Sequence, residues 1–135
     1  MAEVSRRIVE QRVRNNLIEY FELVGSFEQQ EQYERNVPIA YVPFEVIEQW
    51  HDSVPSDPRS DPGISKVYSP AEVEAMQVFQ PAWEKASAAI PDRYPVPPLP
   101  QVFALPEWIE LRDAAQIASK VFRVRGKMPD DREVP

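Results

Sequence analysis

Residues 48–52 read Glu-Gln-Trp-His-Asp. Glu48 and His51 have the Glu-x-x-His spacing that sets a carboxylate and an imidazole on one side of a helix. Carboxylate-bridged di-iron bundles use two such motifs plus two further inward glutamates. The chain has one histidine, so the second motif cannot exist. Glu48, His51 and Asp52 could still ligate a single ion, and a small-ligand or metal-dependent enzyme centred on them is one reading. The plainer alternative is a histidine on the rim of a short helix. Other chemistries find less. A Ser–His pair would need the same His51, no Gly-x-Ser-x-Gly elbow occurs, and Gly25, Gly63 and Gly126 stand too far apart to cradle a phosphate. Cysteine is absent, which removes thiolate zinc sites and thiol nucleophiles. Carboxylate pairs suited to glycoside cleavage are present, as in any acidic helical protein. No catalytic residue, metal set or cofactor is assigned.

Carboxylates repeated at helical spacing are more informative. Glu28, Glu31 and Glu34 share one side of a helical segment, and Glu45, Glu48 and Asp52 share one side of the next. Residues 28–61 hold eight carboxylates against Arg35 and Arg59. Like charges at this spacing cost a few tenths of a kcal/mol per pair. A chain that keeps them is either solubilising a face or presenting it to a cation. The binding reading takes Glu28, Glu31, Glu34, Glu45, Glu48 and Asp52 as acidic steering groups, with the aromatics Tyr41 and Phe44, and also Tyr33, exposed at the patch centre for a basic protein partner to bury.

The whole-chain charge agrees. The 135 residues carry a net −7 with pI near 4.8. Residues 16–113 hold −11, and each end is mildly basic at +2. Such a body repels nucleic acid and anionic membrane. Ser5-Arg6-Arg7 resembles the start of a twin-arginine leader, but Glu10, Gln11 and Arg12 interrupt before an apolar run forms. No membrane-length apolar stretch exists, and a cytoplasmic location is expected.

The elements that would position these residues are helical. Val13, Leu17, Tyr20, Val24 and Phe27 step by three and four from Ala2 to about Arg35. Gly25-Ser26 interrupts them, which predicts one kinked first helix or two nearly collinear ones, with Ser26 and Gln29 as a capping box. Residues 37–43 are extended and proline-bound. Phe44, Ile47, Trp50 and Val54 mark a helix over about 43–53, and residues 55–68 read as loop. Ser69-Pro70-Ala71-Glu72 is the strongest start signal in the chain, and Pro81 inside the helix that follows should kink it. Six prolines in residues 91–106 predict an extended strap. Pro106 opens a last helix along Trp108, Leu111, Ala115, Ala118 and Phe122, widened by Ile117, Val121 and Val124 and ending near Gly126. The expected fold is all-α, with four to five helices in a single domain over 1–128 and a frayed tail over 129–135. A homodimer through the wide apolar face of 108–124 is a third functional reading.

The stretch Asn16-Leu17-Ile18-Glu19-Tyr20-Phe21-Glu22-Leu23-Val24-Gly25-Ser26-Phe27-Glu28, with Val37-Pro38 and Val42-Pro43-Phe44-Glu45-Val46-Ile47-Glu48-Gln49-Trp50, resembles small uncharacterised bacterial helical proteins of the toxin-immunity or accessory type. The likeness covers roughly residues 16–54. It implies a helical, non-enzymatic chain that neutralises a cationic toxin domain, and it transfers no catalytic residue.

Overall fold

The computed structural model describes residues 5–37, 39–53, 67–90 and 96–134, except the side chains of Asp52 and Ser53. Among these residues lie six helices and no strand: α1 Arg6–Val24, α2 Phe27–Asn36, α3 Val42–Ser53, α4 Pro70–Ala89, α5 Leu99–Phe103 and α6 Pro106–Arg123. The all-α expectation holds. The expected loop over 55–68 falls almost wholly outside the described residues, as do residues 91–95 of the expected strap.

Local chemistry sets the helix ends. Ser5 Oγ accepts from Ile8 N at the start of α1, and Ser26 Oγ accepts from Gln29 N at the start of α2. Between them α1 stops at Gly25. A Cβ there would stand 2.9 Å from Phe21 O and 3.2 Å from Gln116 Cγ, so glycine lets the turn lie against α6. Gln116 Nε2 donates to Gly25 O at 2.9 Å and pins that approach. At α4, Ser69 and Glu72 form the full capping box, with Pro70 in the first turn. The helix runs on through Pro81, whose ring is exposed.

The proline-rich run differs from a continuous extended strap. Residues 96–98 lack regular structure, but Leu99–Phe103 is helical and is the additional element. Pro98 is its N-cap and Pro100 lies in its first turn, where no backbone N–H is needed. Leu99 and Val102 are buried, so burial selects the helical turn that composition argued against.

Aromatic rings close the core. Phe21 lies 5.2 Å from Phe79 and 5.4 Å from Phe122, and Trp50 lies 4.5 Å from Phe79, centroid to centroid. These contacts tie α1, α3, α4 and the end of α6 together, and the α4–α6 packing is the most extensive. Trp50 and Trp108 are fully buried. Each indole N–H finds an acceptor, on Gln80 at 2.7 Å and Gln30 at 3.1 Å respectively. Gln30 in turn donates to Val24 O at 3.0 Å, which docks α2 on the end of α1.

The tail, expected to fray beyond residue 128, is held through Val134. Gly126 takes φ +71°, the left-handed conformation that turns the chain back over α1. Asn15 Oδ1 accepts from Met128 N at 2.8 Å while its Nδ2 donates to Met128 O at 2.8 Å. The fully buried Gln11 donates to Pro129 O and Arg132 O, both at 2.8 Å, and accepts from Val134 N at 2.9 Å. Arg12 donates to Asp130 O, Arg7 donates to Val134 O, and Lys127 pairs with Glu19 at 2.7 Å. Local patterning of the tail carries no trace of these long-range bonds, which is why it reads as frayed.

Candidate functional site

The acidic face begins where α2 hands over to α3. Glu28 and Glu31 stand in solvent on α2, and Glu34 is half-buried at its end. Glu34 Oε1 accepts from Val42 N at 3.4 Å, so this carboxylate serves the open N-terminus of α3. Tyr41 lies beside it. Burial first, and the charge of Glu34 second, push its phenol up to about 12. It therefore stays protonated and donates to Pro97 O at 2.5 Å. The phenol, read from sequence as an anchor for a partner, is engaged in fastening the proline run to α3. The Tyr41 ring meets Phe44 edge-on at 4.8 Å.

One turn further on, Phe44 and Glu48 come together at a groove between α3 and α4. It has a volume of about 250 Å³ and is lined by Phe44, Ile47, Glu48, Ser87 and Ile90. Its walls are apolar apart from Ser87 and the exposed Glu48. Glu45 is half-buried on the same helix. Among the described residues Glu28, Glu31, Glu45 and Glu48 join no ion pair; of the arginines near the chain ends, Arg7 pairs with Glu133 and both Arg14 and Arg125 pair with Glu72. The side chain of Asp52 lies outside the described ones.

His51 is exposed and stacks on Trp83, with centroids 6.4 Å apart and the planes 10° from parallel. Trp83 donates its indole N–H to Ile47 O at 3.1 Å. That arrangement holds the imidazole over a ring. Among the described residues no three His, Asp or Glu side chains gather closely enough to hold a metal ion.

The apolar face of 108–124 does not stand free as one surface. Trp108, Leu111, Ala115, Ala118 and Phe122 are buried against α1 and α4, leaving Ile117 and Val124 outside.

A second charged cluster escaped the sequence reading. Arg14, fully buried on α1, forks onto Glu72 of α4, with Nε at 3.0 Å from Oε1 and Nη2 at 2.8 Å from Oε2. Arg125, just past α6, donates to both oxygens of the same carboxylate, at 2.6 and 3.1 Å, and to Val67 O at 2.6 Å. Arg14 Nη1 reaches Gly126 O at 2.6 Å, and its guanidinium lies 5.3 Å from the Phe122 ring. Burial alone would raise the Glu72 carboxyl. Hydrogen bonds from Arg14 and Arg125, the charge of Arg14 and the Ser69 N–H outweigh it and hold the carboxyl below its ordinary value near 4.5. Beside them the Tyr68 hydroxyl is buried with no hydrogen-bond partner among the described residues, and burial pushes its pKa up.

A signal for this cluster was available. Arg7, Gln11 and Arg14 step by four and three into the stripe continued by Ile18 and Phe21, so polar side chains occupy inward positions of α1. Paired, permanently charged guanidiniums on an ionised carboxylate hold three chain segments together and offer neither a nucleophile nor a proton at neutral pH.

Compared with known protein families, curated proteins and solved structures, the chain matches none. Among the described residues no helix is long and apolar enough to cross a membrane.

Proposed function

We propose that the chain is a non-enzymatic protein-binding module that takes a basic partner on the α2–α3 face, in the manner of an immunity protein neutralising a cationic toxin domain. One observation carries the reading. Glu48, exposed and without an ion pair among the described residues, stands at the rim of an apolar groove lined by Phe44, Ile47 and Ile90. Charge and apolar depth at one place suit a basic segment that also inserts a hydrophobic side chain. The carboxylates steer the encounter and the groove supplies burial. Tyr41, bonded to Pro97 O, packs edge-on against Phe44, which is the aromatic that the partner touches.

The test is charge reversal. Glu45→Lys, Glu48→Lys and Asp52→Lys are combined, and association is followed with a labelled lysine-rich peptide that also carries apolar side chains. The reading expects the association rate at low salt to fall by roughly ten- to a thousandfold, with the salt dependence flattened. Unchanged association by a variant of native helicity rejects the face.

A further inference from the structure

Two indole bonds tie α3 to α4 and set the width of the groove between them. Trp50 of α3 donates its N–H to Gln80 Oε1 at 2.7 Å, and Trp83 of α4 donates to Ile47 O at 3.1 Å. At one wall Phe44 meets Tyr41 edge-on, and the Tyr41 hydroxyl is fastened to Pro97 O. The groove is therefore formed before anything enters it, which lowers the cost of filling it. Its lining is of two kinds. Phe44, Ile47 and Ile90 are apolar, while Glu48 and Ser87 bring a carboxylate and a hydroxyl to the same space. At about 250 Å³ it has room for one long side chain and falls short of the roughly 300–1,000 Å³ usual for whole small-molecule ligands.

Given a basic partner on this face, as proposed above, we infer that the α3–α4 groove receives a single lysine or arginine side chain of that partner. The carboxylate decides between occupants. A purely apolar side chain pressed into the groove would take water from Glu48 and give nothing in exchange, which costs free energy. An anionic one would be repelled. A lysine or arginine supplies methylenes for the apolar walls and a charged head for the carboxylate. Among the described residues Glu48 joins no ion pair, and Lys85 of α4 is taken by Glu110 of α6. The stem lies against Phe44, Ile47 and Ile90, and the head stays at the rim on Glu48, with the Ser87 hydroxyl as a neutral acceptor. Because Glu48 is itself exposed, the head keeps part of its water and the full cost of burying a charge is avoided. One residue of the partner is thus read by length and by charge at once.

Capped pentapeptides that differ in one residue test it, with lysine, arginine, norleucine or diaminobutyrate set between glycines and titrated into the isotopically labelled full chain. Norleucine keeps the stem of lysine without its charge, and diaminobutyrate keeps the charge on a stem two methylenes shorter. Lysine and arginine should move the amide signals of Phe44, Ile47, Glu48, Ser87 and Ile90 in a saturable way. Norleucine should bind about fivefold more weakly than lysine. Diaminobutyrate should bind about five- to tenfold more weakly, for want of buried methylene. In a Glu48→Gln chain of native helicity, lysine should fall to the level of norleucine. Norleucine or diaminobutyrate binding as tightly as lysine overturns the inference and leaves standing the wider reading of a basic partner, which the charge reversal above decides separately. Peptides that move no signal at the groove, or a Glu48→Gln chain that keeps the preference for lysine, overturn it as well.

Discussion

Where α1, α4 and the segment after α6 meet, Glu72 is 1% exposed and grips two guanidiniums. On α2 and α3, Glu28, Glu31 and Glu48 stand in water with no ion-pair partner among the described residues. The side chains are chemically the same. What differs is solvent. A carboxylate removed from water must find its hydrogen bonds inside the protein, and Glu72 finds them from Arg14, Arg125 and the Ser69 N–H. A carboxylate left in water costs little and remains available to a cation from outside. The buried cluster thus belongs to the fold, and the exposed one is where a partner is proposed.

Substitution should separate the two regions sharply. Glu72→Gln leaves Arg14 charged and buried with weakened partners, and should cost about 3–5 kcal/mol by denaturant unfolding. Glu48→Gln should change stability by less than about 0.5 kcal/mol. Equal costs would erase the distinction.

Acid sharpens the same contrast. The carboxyl of Glu72 binds its proton less readily in the folded chain than in the unfolded one. Its contribution is therefore fully present above the ordinary carboxylate value and is lost as pH falls through the lower folded value. Stability measured from pH 6 down to pH 2 should decline below about pH 5, and Glu72→Gln should remove part of that slope. Glu48→Gln should leave the slope nearly as it was.

A smaller effect probes the turn that completes the buried cluster. Gly126 has open space around its Cα, so Gly126→Ala meets no clash and only the left-handed backbone opposes it. The expected cost is about 1–2 kcal/mol by thermal unfolding. A neutral result would mean that the chain can offer a carbonyl to Arg14 by another route.

Legibility in the sequence followed the range of the interactions. The start at Ser69-Pro70-Ala71-Glu72 and the restart at Ser26 depend on atoms three residues apart, and both were readable. Periodicity located the inward faces, with Leu17, Tyr20 and Val24 on α1 and Trp108, Leu111 and Phe122 on α6 all buried. Contacts between distant segments left weaker marks. Glu72 was readable as a cap, but its second task needs Arg14 and Arg125, 58 and 53 positions away. Tyr41 looked free to meet a partner because nothing nearby in the chain announces Pro97. At the candidate site the exposed position of Glu48 followed from helical spacing. The groove beside it required Ser87 and Ile90 of α4 to come alongside α3, which no local pattern encodes.

Gln11 and Asn15 hold the tail by its peptide groups, through bonds to backbone N–H and C=O alone. Apart from Lys127 and Glu133, which form ion pairs, and Met128, which packs on the core, segment 127–134 is consequently free to drift in composition, provided its length is kept and no imino acid replaces Met128 or Val134, whose amides are donated. The burden of inheritance falls instead on two carboxamides more than a hundred positions upstream, so a variable end can remain firmly moored.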